Sequence, residues 1–309
     1  MDVTTVGTHP SCWIAAALLV LASISGAAKA DSLDQITVQA QRETLRKQVD
    51  QFFHSAMLKS PFDESMLRWD QAVCPMVVGM IQPAGEFLLR RLSELARESG
   101  VPLAKENCKH PNLFIIVAKN PEIFLKLWWR SQPRMYNTTW GIEPVRRFIE
   151  KSRPIRVWYN VGPAAGSNNI SSLLTASVDP GLGAVDYPIV HDYTSTGGIG
   201  SRLSFSTVRH IGSALIVVDP AQVGELNIGQ FSDYITMVSF AEVNQEADLS
   251  TNSTILNLFA TSSAAVPLEM TRWDKAMLRA LYTTEHGSRM QMSQMETRAI
   301  TFLQSKPSD

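Results

Sequence analysis

The sequence predicts an α/β (α+β) fold, because short apolar runs typical of buried strands alternate with longer segments of helical periodicity. In the first half, residues 73–79 and 113–118 are the apolar runs, and amphipathic helices are predicted at residues 84–98 and 122–130. This order of elements predicts an N-terminal βαβα block within residues 31–135.

The start of this block is predicted to hold one more strand and one more helix. Residues 36–40 alternate in polarity like a strand. Residues 43–58 carry apolar side chains at helical spacing, and Pro61 is predicted to end that helix.

The second block, residues 136–309, is predicted to combine a mixed sheet with a buried helix. A helix at residues 143–151 precedes an alternating strand at residues 154–161. Nearly every face of residues 228–243 is apolar, which is typical of a helix that is buried on most sides.

Between these elements lies a long segment, residues 161–200, that is rich in Gly, Ser, Asn and Pro and has little periodicity. Such a segment is a functional loop, an insertion or a mobile stretch. Two strands follow, at residues 202–210 and 213–219, and the glycine between them, Gly212, predicts a hairpin turn.

Two helices are predicted near the C-terminus. Thr271 and Asp274 form a variant of the capping box, with Asp in place of the usual Glu, so a helix is expected to begin there. The last predicted helix covers residues 290–304.

Residues 1–30 are typical of an export signal. A short apolar run at residues 13–24 is followed by small residues ending in Ala28-Lys29-Ala30, so we expect cleavage after Ala30. No Lys or Arg precedes the run, and a buried helix or a membrane anchor is the alternative, although a bilayer span needs about 20 apolar residues. The sequence therefore predicts an exported protein, periplasmic or secreted, with no integral membrane segment after signal removal.

The charges are nearly balanced, with 28 basic and 29 acidic residues and a net charge of −1. A nucleic-acid-binding protein is expected to carry a strongly basic face, so no nucleic-acid partner is predicted. The same balance argues against electrostatic attachment to anionic lipid. A protein or a component of the cell envelope is the partner to expect.

Cysteine usage agrees with export. Cys12 would leave with the signal, so that the mature chain keeps only Cys74 and Cys108. Two cysteines in an oxidising compartment predict one disulfide, whereas two free buried thiols are the alternative for a cytosolic protein.

The sequence contains no standard catalytic signature: G-x-S-x-G, S-x-x-K, P-loop, C-x-x-C and H-E-x-x-H motifs are all absent. No histidine lies three or four residues from another, so no helix presents a two-histidine metal face. We therefore expect no cofactor, no metal site and no catalytic site of a standard type.

Two pairs of ionisable residues are more typical of the protein surface than of a catalytic site. Asp50 and His54 share a helix face at i, i+4, which indicates a surface ion pair more often than a catalytic dyad. His191 and Asp192 lie in the Gly-rich segment, where such a pair is most often a polar loop tip, although loops do carry function.

Oxygen-bearing side chains recur at alternate positions, as at the front of a calcium loop, in Asn244, Glu246, Asp248, Ser250 and Asn252. Leu249 and Ile255 stand where that loop requires Gly and a bidentate Glu, so a polar surface loop is predicted. Aromatic residues are dense around the block boundary and include Trp128, Trp129, Tyr136, Trp140, Trp158 and Tyr159. Core packing is the prediction for them, and a sugar-stacking platform is the alternative.

The second block resembles the zincin metallopeptidases in the order of its parts. The segment from Leu268 to Tyr282, with Asp274 and the ending Ala-Leu-Tyr, is similar to the helix that follows the Met-turn in matrixin-like members. In that family the buried helix carries H-E-x-x-H, but residues 232–239 read Ser-Asp-Tyr-Ile-Thr-Met-Val-Ser, so no zinc ligand or general base carries over. The whole chain, including Arg68-Trp-Asp, also resembles exported bacterial proteins of no assigned function.

The resemblance implies a zincin-like scaffold that lacks the metal site. We therefore expect a non-catalytic binding or envelope-associated protein, a pseudo-enzyme, with residues 161–200 as its contact surface. The alternative is a peptidase-like hydrolase whose acid and base groups come together only in the folded chain. Its candidate residues are His191, His210, Asp233 and Glu242.

Overall fold

The computed structural model describes residues 39–58, 65–131, 142–163, 175–176, 187–188, 208–224, 226–260 and 266–306, together with Met1. The chain divides into two compact units, Met1–Gln48 and Val49–Asp309. In the first unit, residues 39–48 are helical, so the strand predicted at residues 36–40 is wrong at its described end. Five alternating residues are too few to separate the strand period from the helical one. The predicted signal, apart from Met1, lies outside the described residues.

The second unit is built on a four-stranded mixed sheet. Its strands are β1 (Pro75–Val78), β2 (Leu113–Val117), β3 (Ile155–Pro163) and β6 (Arg209–Val218), in the spatial order β1-β2-β6-β3. Strands β1, β2 and β6 are parallel, and β3 runs antiparallel to β6 at one edge of the sheet. Two short strands, β4 (Thr175–Ala176) and β5 (Tyr187–Pro188), pair with each other separately.

Helices cover both faces of this sheet. They are α1 (residues 49–56), α2 (Gln82–Ser99), α3 (Pro121–Ser131), α4 (Glu143–Glu150), α5 (Pro220–Val223), α6 (Ile228–Phe240), α7 (Arg272–Thr283) and α8 (Gln291–Gln304), with a 3-10 helix at Ile255–Phe259. The predicted α/β (α+β) class is confirmed. The predicted capping box is also confirmed, since Thr271 and Asp274 bond reciprocally at the start of α7.

Two apolar layers hold the sheet between the helices. On one face, Phe114 and Leu215 pack with Trp128 of α3 and with Val145 and other residues of α4. On the other face, α2 packs against α6 and α7. Helix α6 is buried on nearly all sides, as its apolar faces predicted.

The predicted hairpin at Gly212 is wrong, because β6 continues as one strand through this glycine. Asn160 of β3 pairs with Ser213 and Val161 pairs with Ile211, so Gly212 is the extra residue of a β-bulge. A glycine inside a strand often marks such a bulge. The Gln71 side chain donates a hydrogen bond to the Gly212 carbonyl at 2.6 Å.

The two predicted blocks share one sheet, since β2 of the first block pairs with β6 of the second. The boundary near residue 135 lies outside the described residues. Of the predicted loop at residues 161–200, the first three residues belong to β3 and four more form β4 and β5; the rest is also outside the described part.

The predicted disulfide is present between Cys74, just before β1, and Cys108, ahead of β2. The Asn112 side chain reinforces this connection, because its Oδ1 accepts from the Cys74 N–H at 2.7 Å and its Nδ2 donates to the Ala72 carbonyl at 3.0 Å. In the described part of the chain, no helix combines the length and the apolarity needed to cross a membrane.

Candidate functional site

Two adjoining cavities, of about 430 and 320 Å³, follow the edge strand β3. We call them together the β3 groove; they share the lining residues Pro144, Arg153, Val157, Trp158, Gln245 and Glu246. Each is in the size range of small-molecule sites.

Strand β3 presents side chains to both cavities because it is an edge strand. Arg156 pairs with Val217 of β6, and both residues lie on the face of the sheet that α3 and α4 cover. Trp158 lies on the same face. Val157 and Tyr159 point to the opposite face. The groove therefore wraps around the edge of the sheet.

The second wall of the groove is the chain that follows α6. This segment is fixed against the end of α1, since Leu58 N–H donates to the Glu242 carbonyl at 3.0 Å and Asn244 N–H donates to the Ala56 carbonyl at 2.7 Å. Asn244 Oδ1 in turn accepts from the Glu246 N–H at 3.1 Å. The oxygen-rich run resembling a calcium loop thus forms local turns beside the groove.

Aromatic rings give the groove its apolar surface. Trp158 packs on Phe148 of α4 with ring centroids 5.4 Å apart, and its Nε1 donates to Asn160 Oδ1 at 3.1 Å. The Tyr159 hydroxyl donates hydrogen bonds at the C-terminal end of α6, to the Val238 carbonyl at 2.6 Å and to the Ala241 carbonyl at 2.8 Å. Burial raises the pKa of Tyr159 well above its usual value, so this phenol stays protonated and acts as a structural donor.

Positive charge dominates the described lining of the groove. Five basic side chains and two acidic ones line it: Arg147, Lys151, Arg153, Arg156, Arg209, Glu242 and Glu246. Lys151 and Arg153 both contact Glu246, and their hydrogen bond and charges lower the pKa of that carboxyl. Arg209 donates to Glu242 at 3.1 Å. The groove keeps an excess of positive charge after these pairings.

Arg156 is the most unusual of these basic residues, because it is only 5% exposed. Its Nη1 donates to the Ile149 carbonyl at 2.8 Å, and its Nε has no hydrogen-bond partner in the part of the chain that the structure describes. No carboxylate of the described residues forms an ion pair with it; burial lowers its pKa, and only the more distant charges of Asp219 and Glu122 act against that. A buried donor without a partner costs roughly 1–3 kcal/mol. Arg156 thus keeps an unpaired donor and a charge without a carboxylate partner among the described residues.

Asp233, one of the predicted hydrolase candidates, is fully buried in α6, and both of its carboxylate oxygens accept hydrogen bonds. Arg91 of α2 holds it with two hydrogen bonds, Nε to Oδ1 at 2.6 Å and Nη2 to Oδ2 at 2.9 Å, and Met270 N–H donates to Oδ2 at 2.6 Å. This bidentate pair joins two packed helices. The carboxylate therefore has a structural role here.

The other candidates have different surroundings. Glu242 lines the groove, whereas His210 is nearly buried in β6, where burial lowers its pKa and the charge of Asp70 partly opposes that change. His191 lies outside the described residues. Asp233 and Glu242 are bound by different arginines.

A Ser–His–Asp arrangement that the sequence did not reveal lies elsewhere. His286 Nδ1 is 2.7 Å from Asp70 Oδ2, and Nε2 is 3.0 Å from the Met66 carbonyl and 3.4 Å from Ser65 Oγ. Nε2 lies closer to the Met66 carbonyl than to Ser65 Oγ, so the ring is not oriented to take a proton from Ser65. Ser65 is 1% exposed and its Oγ accepts from the Arg209 N–H at 2.8 Å. This cluster ties chain segments together.

A third cavity, of about 390 Å³, is also lined by basic side chains, but its arginines bind backbone carbonyls of the protein itself. Arg272 donates to the Phe302 carbonyl at 3.0 Å and the Ser305 carbonyl at 2.6 Å, and Arg279 donates to the Glu98 carbonyl at 3.3 Å. These basic groups cap the C-terminal ends of α8 and α2.

Comparisons with protein-family models, with curated proteins and with solved structures found no match for this chain. The resemblance of the second block to zincins stays a prediction.

Proposed function

We propose that the protein is an exported, non-catalytic binding protein whose β3 groove receives a ligand with a carboxylate or phosphate group next to an apolar part. The observation that carries this proposal is Arg156, a nearly buried guanidinium that lines the groove without a carboxylate partner among the described residues. A guanidinium suits such anions because its donors match their oxygens.

The surroundings of Arg156 define the rest of the ligand. Trp158 and Phe148 form an apolar wall next to it, so an aromatic or aliphatic group attached to the anion would be covered. Glu246 and Glu242 are already paired with basic side chains and disfavour a second, distant anion. Export is supported by the Cys74–Cys108 disulfide, which is compatible with an oxidising compartment.

The first test is a binding screen on the full chain. Benzoate, phenyl phosphate and octanoate serve as amphipathic anions, and inorganic phosphate serves as the anion without an apolar part. At about 100 times its dissociation constant, a bound ligand stabilises the folded state by roughly 2.7 kcal/mol, which thermal denaturation detects easily. Amphipathic anions are expected to bind more tightly than phosphate, and affinities follow from titration calorimetry.

Arg156→Met is the decisive variant, because methionine keeps much of the side-chain length and removes the charge. It is expected to weaken binding at least about tenfold, whereas Lys275→Met in the basic cavity near α7 should leave binding unchanged. Equal binding by Arg156→Met, or no binding of any anion by the wild type, would refute the proposal. Turnover of an ester or peptide that disappears in Glu242→Gln would instead support the hydrolase alternative.

A further inference from the structure

A second group of side chains, outside the β3 groove, combines one imidazole with two carboxylates. His54 and Asp50 lie one turn apart on α1, and Glu296 of α8 faces them. His54 Nδ1 is 3.3 Å from Asp50 Oδ1 and 3.8 Å from Glu296 Oε1, and the three ligand atoms lie within 4.8 Å of one another. We propose that these three residues bind a divalent transition-metal ion of the zinc type.

The two distances from His54 Nδ1 to the carboxylate oxygens are close to what zinc requires. Tetrahedral ligands at bond lengths of about 2.0–2.1 Å lie about 3.3–3.4 Å from one another. The distance from His54 Nδ1 to Asp50 Oδ1 already has this value, and the distance to Glu296 Oε1 exceeds it by a few tenths of an ångström.

The charges of the two carboxylates also favour a bound cation. Two carboxylates this close together repel each other unless a positive charge lies between them. His54 is the one described ion-pair partner of Asp50, and its Nδ1 also lies 2.9 Å from the Asp50 carbonyl. A divalent cation held between the two carboxylates and Nδ1 would supply such a charge.

The helices that carry the ligands are held by the core. Phe52 of α1 contacts Trp273 of α7 edge to face with ring centroids 5.8 Å apart, and α7 packs along α8. Glu296 is nearly buried, whereas Asp50 and His54 are exposed. The ion can therefore enter from solvent, and water can complete its coordination.

The donor set selects the kind of metal. One imidazole nitrogen with two carboxylate oxygens suits zinc and its neighbours among the first-row divalent ions, whereas magnesium and calcium prefer oxygen ligands alone. This proposal departs from the sequence-based expectation of no metal, because Glu296 is brought to the Asp50–His54 pair only by folding. It is independent of the proposed function of the β3 groove.

The test is zinc binding to the untagged full chain, by calorimetry and by elemental analysis after dialysis. We expect one zinc per chain, no binding of magnesium, and a loss of affinity of at least about tenfold in both His54→Ala and Glu296→Gln. His110→Ala, at an exposed histidine outside the cluster, is the matched control and should bind as the wild type does. Circular dichroism shows that each variant is folded.

Two results would overturn the metal site: a wild-type dissociation constant weaker than about 100 µM, or binding that survives in both ligand variants. Zinc binding lost on His54→Ala but not on Arg156→Met separates this site from the groove. Anion binding lost on Arg156→Met but not on His54→Ala completes that separation.

Discussion

Removing the Cys74–Cys108 disulfide should lower the stability of the second unit by an amount that its loop length sets. The bonded cysteines are 34 residues apart. In the chain-entropy model, a loop of about this size constrains the unfolded chain by roughly 3–4 kcal/mol at 25 °C. The unit has about 260 residues, and an unfolding entropy of about 2.1 cal/mol/K per residue converts that figure into a fall in Tm of about 5–8 °C.

The assay is differential scanning calorimetry of the wild type and of the double variant Cys74→Ser, Cys108→Ser. The wild type is measured with and without reductant, because the reduced wild type should melt close to the double variant. A Tm shared by oxidised wild type and double variant would refute the entropic reasoning. Two titratable thiols in the denatured, unreduced protein would show that the bridge does not form.

Three further predictions follow from buried or paired charges and from the N-terminus. Arg91→Ala should destabilise the fold by about 3–5 kcal/mol in urea unfolding, because it leaves the Asp233 carboxylate buried, whereas Arg90→Ala on the exposed side of α2 should change stability by less than about 1 kcal/mol. Burial acts to raise the pKa of Asp70, but His286 and Arg68 lower it overall below 3.8; its ionised form therefore stabilises the fold above that pH. Asp70→Asn should thus lower the free energy of unfolding at neutral pH by about 1 kcal/mol, given the exposure of Asp70. The urea midpoints of the two proteins should converge as the pH falls through the lowered pKa. N-terminal sequencing of the exported protein should find Asp31 first, and a mature chain that still contains Trp13 would contradict the signal assignment.

The helices and core strands could be predicted because their signals are local. Helices α2 and α6 have apolar faces at helical spacing, and Thr271 with Asp274 marks the start of α7 within four residues. The disulfide followed from having only two cysteines in the predicted mature chain. None of these predictions needed the three-dimensional arrangement.

The candidate sites could not be predicted in the same way, because distant segments supply them. Glu296 lies far along the chain from His54, and nothing near either residue signals the other. Arg156 reads in the sequence as an ordinary exposed arginine of an alternating strand. Its burial depends on α3 and α4 covering that face of the sheet, which the strand pattern alone does not contain.

Gly212 shows how a wrong local prediction can hide a feature that completes a site. Without the bulge, strict alternation along β6 would place Arg209 and Ala214 on opposite faces of the sheet. The extra residue inverts the alternation beyond it, so Arg209 pairs with Pro163 and lies on the face of Tyr159, where it reaches Glu242 in the groove. The glycine that suggested a turn is therefore the residue that directs one of the five basic side chains into the β3 groove.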